Sequence, residues 1–284
     1  PEFDLTFPFE HLSPDLKEIK NMLEHPSEFG DKLAKARRPM LILGSGALAR
    51  EDGEAILGAA RELAERFNIV NSKWNGFNVL HNAAARVGGL DMGFIPGKGG
   101  LDVEGMYKAA ENKKLDFVWL LGADEVDMDR LSNTFVVYQG HHGDNGAHHA
   151  DVVLPGAAYT EKDGIYLNTE GRVQYANRAA FPPGEAREDW AILRAFAGVM
   201  KINVGFDSLD ELRELLFREV PHFADRDMIS PAKWTKFGSR AKVKPVKLTT
   251  AIDNFYMTCA ISRASETMAE CMRANGTEQA EAAE

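Results

Sequence analysis

The stretch Val136–Arg178, VVYQGHHGDNGAHHADVVLPGAAYTEKDGIYLNTEGRVQYANR, decides how the rest of the chain is read. Thr134 to Gln139 is an apolar, β-branched run and predicts a buried strand. A loop of glycines and histidines follows, and Asp151 to Leu154 predicts a second short strand stopped by Pro155 and Gly156. Gly164 to Tyr175 alternates apolar and polar residues and breaks at Thr169-Glu170-Gly171. That break predicts a hairpin turn, because glycine takes a positive φ where other residues are strained.

Working outward, Pro39 to Leu43 is an uncharged apolar run ending in Gly44-Ser45-Gly46. A helix is predicted over Asp52–Phe67, with Ile56, Leu57, Ala60, Leu63, Ala64 and Phe67 at helical spacing. Further strands are expected at Phe67–Val70 and Leu115–Leu121. Between them we expect a helix over Asn78–Val87, a glycine-rich loop over Gly88–Gly100 and a helix over Asp102–Asn112. Alternating strands and helices with continuous apolar strands predict an α/β fold: a doubly wound, mostly parallel sheet covered on both faces. Ligands in such sheets sit beyond the carboxyl ends of the strands. Here those ends carry Gly44-Ser45-Gly46, Gly122-Ala123-Asp124 and Gly140-His141-His142.

The flanks are simpler. Residues 1–38 read as a packing arm with a short amphipathic helix bearing Leu16, Ile19, Met22 and Leu23. After the hairpin, a helix beginning near Glu185 carries Trp190, Leu193, Ala197 and Met200, and another runs from about Ser208 to Val220. We place the main α/β region at 39–230. Residues 231–284 read as a basic strap and a helical tail. Pro231 to Thr250 holds Lys233, Lys236, Arg240, Lys242, Lys244 and Lys247 and no acidic residue, so it reads as a solvated connector or a strap on an acidic partner surface. Phe255 to Arg273 is amphipathic, and the residues from Asn275 are expected to be disordered.

Composition bounds the function. The net charge of −10 over 284 residues argues against nucleic acid as a partner. Two cysteines, Cys259 and Cys271, are too few for a disulfide scaffold or for the usual four ligands of an iron–sulfur cluster. No apolar run reaches the roughly 18 residues of a membrane span, and the start lacks the pattern of a secretory leader. A first residue of Pro1 leads us to expect a piece of a longer polypeptide.

Three constellations invite chemistry. GSGALA at Gly44–Ala49 fits the dinucleotide pattern G-x-G-x-x-G/A, but the strand expected next ends in Asn71-Ser72-Lys73 without the ribose-binding carboxylate. His141, His142, His148 and His149 invite a metal, with Asp144 and Asp151 as further donors, yet without a recognised ligand spacing; they read as locally bonded loop histidines. Glu161, Asp163 and Glu170 are available for acid–base work, but beside Lys162, Arg172 and Arg178 they read as ion-paired turn residues. No nucleophile elbow or Walker phosphate loop is present. We therefore assign no catalytic, cofactor-binding or metal-binding residue.

The central stretch resembles the molybdopterin oxidoreductase superfamily. It has Ala150-Asp151-Val152-Val153-Leu154-Pro155, then Glu161, then Gly164 through Asn168-Thr169-Glu170-Gly171-Arg172, and later Pro182-Pro183-Gly184 and Arg187-Glu188-Asp189-Trp190. Tyr138 to Asp144, Pro155 to Lys162, Phe255 to Thr258 and Ile261 to Ser265 are similar to the family of large iron–sulfur subunits of respiratory complex I (NADH–quinone oxidoreductase), in its alphaproteobacterial and mitochondrial branch. The likeness covers most of Pro39–Arg273. It implies a molybdopterin-enzyme fold that has lost its cofactor, with histidine-bearing GHHGDNGAHH where true molybdopterin enzymes have small polar residues. It implies 2Fe-2S and 4Fe-4S clusters in a part of the subunit outside this segment. The implied partners are other peripheral-arm subunits, and the implied place is the inner membrane surface, on the cytoplasmic or matrix side. The implied role is a structural scaffold in an NADH-oxidising machine. The competing readings are the catalytic part of a molybdopterin enzyme of formate dehydrogenase type, and a nucleotide-binding enzyme using Gly44–Ala49.

Overall fold

In a computed structural model of the chain, residues 6–12, 17–123, 125–246 and 254–281 are described. The chain divides into two compact units: Pro1–Val87 with Asn168–Gly171 and Ile229–Asp253, and Gly88–Leu167 with Arg172–Met228 and Asn254–Glu284. Among the described residues, no helix is long and apolar enough to cross a membrane.

In the first unit, helices α1 (Lys17–Glu24) and α2 (Glu28–Lys35) precede strand β1 (Leu41–Gly44), the turn of helix α3 (Ser45–Leu48) and the long helix α4 (Gly53–Arg66). Met22 of α1 is buried, and Ile19 packs on the core of Leu43, Ile56 and Ala60. Helix α1 thus packs on this core. Leu16, expected on its apolar face, lies outside the described residues.

The strand expected at Phe67–Val70 is different in fact. β2 (Val70–Asn71) pairs antiparallel with β3 (Trp74–Asn75). Asn71 Oδ1 accepts from the amides of Lys73 (2.9 Å) and Trp74 (3.1 Å), and this side-chain turn reverses the chain at once. The strand beside β1 is β4 (Phe77–Leu80), parallel to it in the register Leu41↔Phe77 to Gly44↔Leu80. It replaces the start of the helix expected over Asn78–Val87. Phe77 and Val79, an alternating pair with high strand preference, pack on the core, and this outweighs the helical spacing of the alanines that follow.

In the second unit, α5 (Arg86–Asp91) runs into the glycine-rich segment, and α6 (Val103–Glu111) starts at a cap where Asp102 Oδ1 accepts from Gly105 N at 2.7 Å. A three-stranded parallel sheet follows: β5 (Phe117–Leu121), β6 (Phe135–Gly140) and, after the short helix α7 (Asn145–His149), β7 (Val152–Pro155). β6 is central, pairing Phe117↔Phe135 on one side and Val137↔Val152 on the other. One sheet face buries Leu120, Val136 and Tyr138 with Ala110, Met128 and Leu131. Each large apolar side chain fully buried there contributes about 1.5–3 kcal/mol.

β8 (Gly164–Leu167) and β9 (Val173–Ala176) form the expected hairpin, and Gly171, with φ +82°, closes the turn. Helices α8 (Asp189–Val199), α9 (Leu209–Glu219), α10 (Ala260–Arg263) and α11 (Glu266–Glu281) complete the unit. The helix expected near Glu185 begins at Asp189, because Pro182, Pro183 and the positive φ of Gly184 break the chain before it. The disorder expected from Asn275 is not seen up to Glu281, since the Ala/Glu/Gln-rich run extends α11. The architecture is a mixed helix and strand fold with parallel sheets.

Candidate functional site

Two places carry the residues to which the sequence points: the carboxyl ends of β5–β6–β7, and the glycine turn after β1.

At the first, Gln139 is fully buried at the end of β6. Its Oε1 accepts from Trp119 Nε1 at 3.1 Å, and its Nε2 donates to Asp189 Oδ1 at 2.9 Å. The other oxygen of Asp189 forms an ion pair with Lys162. Three segments therefore meet on one amide: β5, β6 and the start of α8. Tyr138, also buried, turns its ring under the loop, where a Cβ on Gly140 would lie 2.6 Å from its hydroxyl and one on Gly146 2.9 Å from its ring. Glycine at both positions makes room for the Tyr138 ring. Glu161 Oε2 accepts from Ala158 N at 2.9 Å and Asp163 Oδ1 from Arg178 N at 2.8 Å. These two carboxylates brace main-chain amides, which corrects the expectation of ion pairs with Lys162 and Arg178: Lys162 pairs with Asp189 and Arg178 with Glu188. Glu170 accepts from Asn168 Nδ2 at 3.1 Å in the hairpin turn.

The histidine loop is not extended throughout. His148 and His149 lie on α7, and His149 Nδ1 is 2.9 Å from Asn145 O. The Nδ1 atoms of His141 and His142 are 2.7 Å apart. Asp144 caps α7 through Asn145 N, and its second oxygen is 2.6 Å from Arg263 Nε. Arg263 Nη1 also reaches Glu125 Oε1 and Met257 O, each at 3.3 Å. Asp151 Oδ2 accepts from Val136 N at 2.7 Å, and its own amide donates to Val136 O. Both candidate aspartates thus hold the loop in place. No group of three or more His, Cys, Asp or Glu side chains converges to hold a metal ion among the described residues. Cys259 caps α10, and the Ser262 hydroxyl beside it pulls its thiol pKa down. Arg263, which ties the tail to the histidine loop, has no role assignable from the sequence; Ile261–Ser265 stands out there only as part of a resemblance.

At the second place, Gly44 leads into α3 rather than directly into the long helix. Asp52 stands at the start of α4 and is buried. Arg50 grips its carboxylate from Nε (2.8 Å) and Nη2 (3.0 Å), and Lys244 N donates to Oδ2 at 2.7 Å. The Arg50 hydrogen bond holds the Asp52 pKa at about 2, below the ordinary 3.8. A pyrophosphate needs free N–H groups and positive potential at a helix start; the start of α4 carries the Asp52 carboxylate, bonded to Arg50 and Lys244 N rather than to the helix's own N–H groups. β4, the true neighbour of β1, runs on into His81 and Asn82, and Asn82 Oδ1 accepts from the Ser45 hydroxyl at 2.9 Å.

The basic strap lies on α4 of its own unit. Ser239 N donates to Glu54 O at 2.8 Å, Arg61 Nε to Phe237 O at 2.9 Å and Trp234 Nε1 to Glu65 Oε1 at 3.2 Å. Arg240 pairs with Glu62 at 3.4 Å, and Lys244 with Glu51. The strap is largely exposed to solvent, as expected, and the acidic side chains it meets belong to the same chain. Lys247 lies outside the described residues.

The profile of the molybdopterin oxidoreductase family matches residues 1–199. The chain belongs to the molybdopterin oxidoreductase family. A second profile, that of the C-terminal part of the G subunit of NADH-ubiquinone oxidoreductase, matches residues 228–271. Among similar proteins, the NADH-quinone oxidoreductase G subunit of Rickettsia conorii is 42% identical over 278 residues, which are 98% of this chain and 40% of the relative. The mitochondrial NADH-ubiquinone oxidoreductase 78 kDa subunit of Candida albicans is 42% identical over 97% of this chain and 38% of its own length. The NADH-ubiquinone oxidoreductase 75 kDa subunit of Reclinomonas americana is 38% identical over 95% of this chain. The chain thus spans about 40% of the length of the relatives it matches. A pterin with its pyrophosphate needs open space and N–H donors beyond the strands; this member has Tyr138 under the loop, Asp144 capping α7 and a closed Trp119–Gln139–Asp189–Lys162 chain.

Proposed function

We propose that the chain is the C-terminal part of the large iron–sulfur subunit of an NADH–quinone oxidoreductase, respiratory complex I. Its task there is to be a scaffold of the peripheral arm that supports electron transfer from NADH to quinone, without a cofactor of its own. The observation that carries this reading is the closed polar chain at the carboxyl ends of β5–β6–β7, where a working member of the family would need room for a pterin. The relatives named above, and the match of residues 228–271 to the second profile, support it. On this reading the 2Fe-2S and 4Fe-4S clusters sit in the part of the subunit outside the matched 40%. The partners are other peripheral-arm subunits, and the complex sits at the inner membrane, on the cytoplasmic or matrix side. The region 39–230 is the doubly wound α/β part, preceded by the arm at 1–38 and followed by the strap and tail at 231–284.

A tag placed on this segment in the native polypeptide tests the proposal. Isolation from solubilised membranes should bring down NADH:quinone reductase activity in step with the tagged protein. Recovery with formate-oxidising activity and no NADH oxidation overturns it in favour of a catalytic molybdopterin enzyme.

A further inference from the structure

The second unit contains a helix built to be buried on more sides than it is. α8 reads DWAILRAFAGV, and its two charged side chains are already used within the unit: Asp189 on Gln139 and Lys162, Arg194 on Asp207 and on Phe206 O at 3.1 Å. The rest of its surface is apolar, and a helix apolar all round is a helix meant for an interior. Yet Ala197 is its one buried residue. Phe196 is 40% exposed, Val199 79% and Met200, just beyond the helix end, 55%.

The sheet beneath it gives a second, independent sign. Parallel sheets occur with both faces covered. One face of β5–β6–β7 is closed by the core around Tyr138. On the other, α8 covers the carboxyl half, where Trp119 meets Phe196 at 4.8 Å. The amino half stays open: Phe117 and Phe135, paired across β5 and β6, are 42% and 48% exposed. The rings of Phe135 and Phe196 lie 6.3 and 6.5 Å from that of Phe117, so helix and sheet present one continuous aromatic surface. Exposed apolar surface of this continuity marks an interaction site.

We propose that this surface, centred on Phe117, Phe135, Phe196 and Val199, is where the remaining portion of the longer subunit docks. The inference rests on the reading given under Proposed function. The relatives have about 60% of their length outside the matched stretch, so a protein body joined to this one in the same polypeptide is at hand to cover the face. With the charges of α8 already paired, the occupant is an apolar, charge-poor protein surface. An aromatic centre of this kind is where binding energy concentrates.

Amide exchange followed by mass spectrometry, run on this chain alone and on the native-length polypeptide, tests the inference. Segments 115–121 and 190–202 should exchange at least about tenfold more slowly in the native-length protein. Val199→Lys should not weaken this chain, because the side chain is open to solvent and a cation suits a helix C-terminus, and should return α8 of the native-length protein to the fast exchange of the isolated chain. Equal exchange in the two proteins overturns the inference while leaving the subunit assignment intact, provided the longer polypeptide carries its iron. Slow exchange in the isolated chain that vanishes on dilution assigns the surface to a second copy and also overturns it. A native polypeptide no longer than this chain overturns inference and assignment together.

Discussion

Two buried polar residues show most clearly what single side chains do here. Gln139 is held from both ends, by the Trp119 indole N–H and the Asp189 carboxylate. A leucine there would have a similar size but would leave the part-buried Trp119 N–H without its acceptor and Asp189 with Lys162 as its remaining side-chain partner, at a cost of about 1–3 kcal/mol. Gln139→Leu should therefore lower the urea-unfolding free energy by a few kcal/mol; a change within experimental error would show that the chain Trp119–Gln139–Asp189–Lys162 is not a structural tie. Asp52 makes the opposite kind of test, through pH. Its pKa is depressed to about 2 in the fold, so its contribution is complete above the ordinary 3.8 and is lost as the pH falls from there toward 2. Asp52→Asn keeps the shape and removes the charge. The difference in melting temperature between wild type and variant should shrink on acidification through this window; a constant difference would contradict the assignment. Neither residue is legible from the sequence as structural. Gln139 and Asp189 are 50 positions apart, and Asp52 and Lys244 are 192 apart. No local spacing announces such pairs.

Elements are easier to read than their partners. The strands at β1, β5, β6 and β7 and helix α4 announce themselves, because each is a single uninterrupted apolar run or a clean helical stripe. β4 does not: FNVL is too short and too mixed, and only the core beneath Phe77 and Val79 makes it a strand. The basic strap is the sharper lesson. Its positive charge is plain, but its receivers, Glu51 and Asp52 just before α4 and Glu62 and Glu65 on it, are visible as a surface only once the helix is folded. The contact is a matter of shape before charge. Gly238, at φ +68°, crosses Gly58 so closely that a Cβ at 58 would lie 2.1 Å from Ser239 O. Gly58→Ala should thus expel the strap and cost about 1–3 kcal/mol. Raising salt from about 0.1 M to about 1 M shortens screening from ~10 Å to ~3 Å and weakens the exposed Arg240–Glu62 and Lys244–Glu51 pairs. It should leave the Ser239 amide protected. Exchange at Ser239 that rises with salt as steeply as in Gly58→Ala would make the strap an electrostatic latch instead.

At the scale of the whole molecule, the chain keeps its family's parallel strands and turns but commits the ligand end of the sheet to internal ties. Tyr138 lies where the loop turns, Asp144 both caps α7 and binds Arg263, and the glycines serve packing. On the function proposed above, the enzyme frame is held for its form. The most direct test is elemental analysis of the native-length polypeptide beside this chain, after gentle purification. We predict iron in the longer protein, at several atoms per polypeptide, and no stoichiometric molybdenum or tungsten in either. One molybdenum per chain, retained through gel filtration, would contradict this reading.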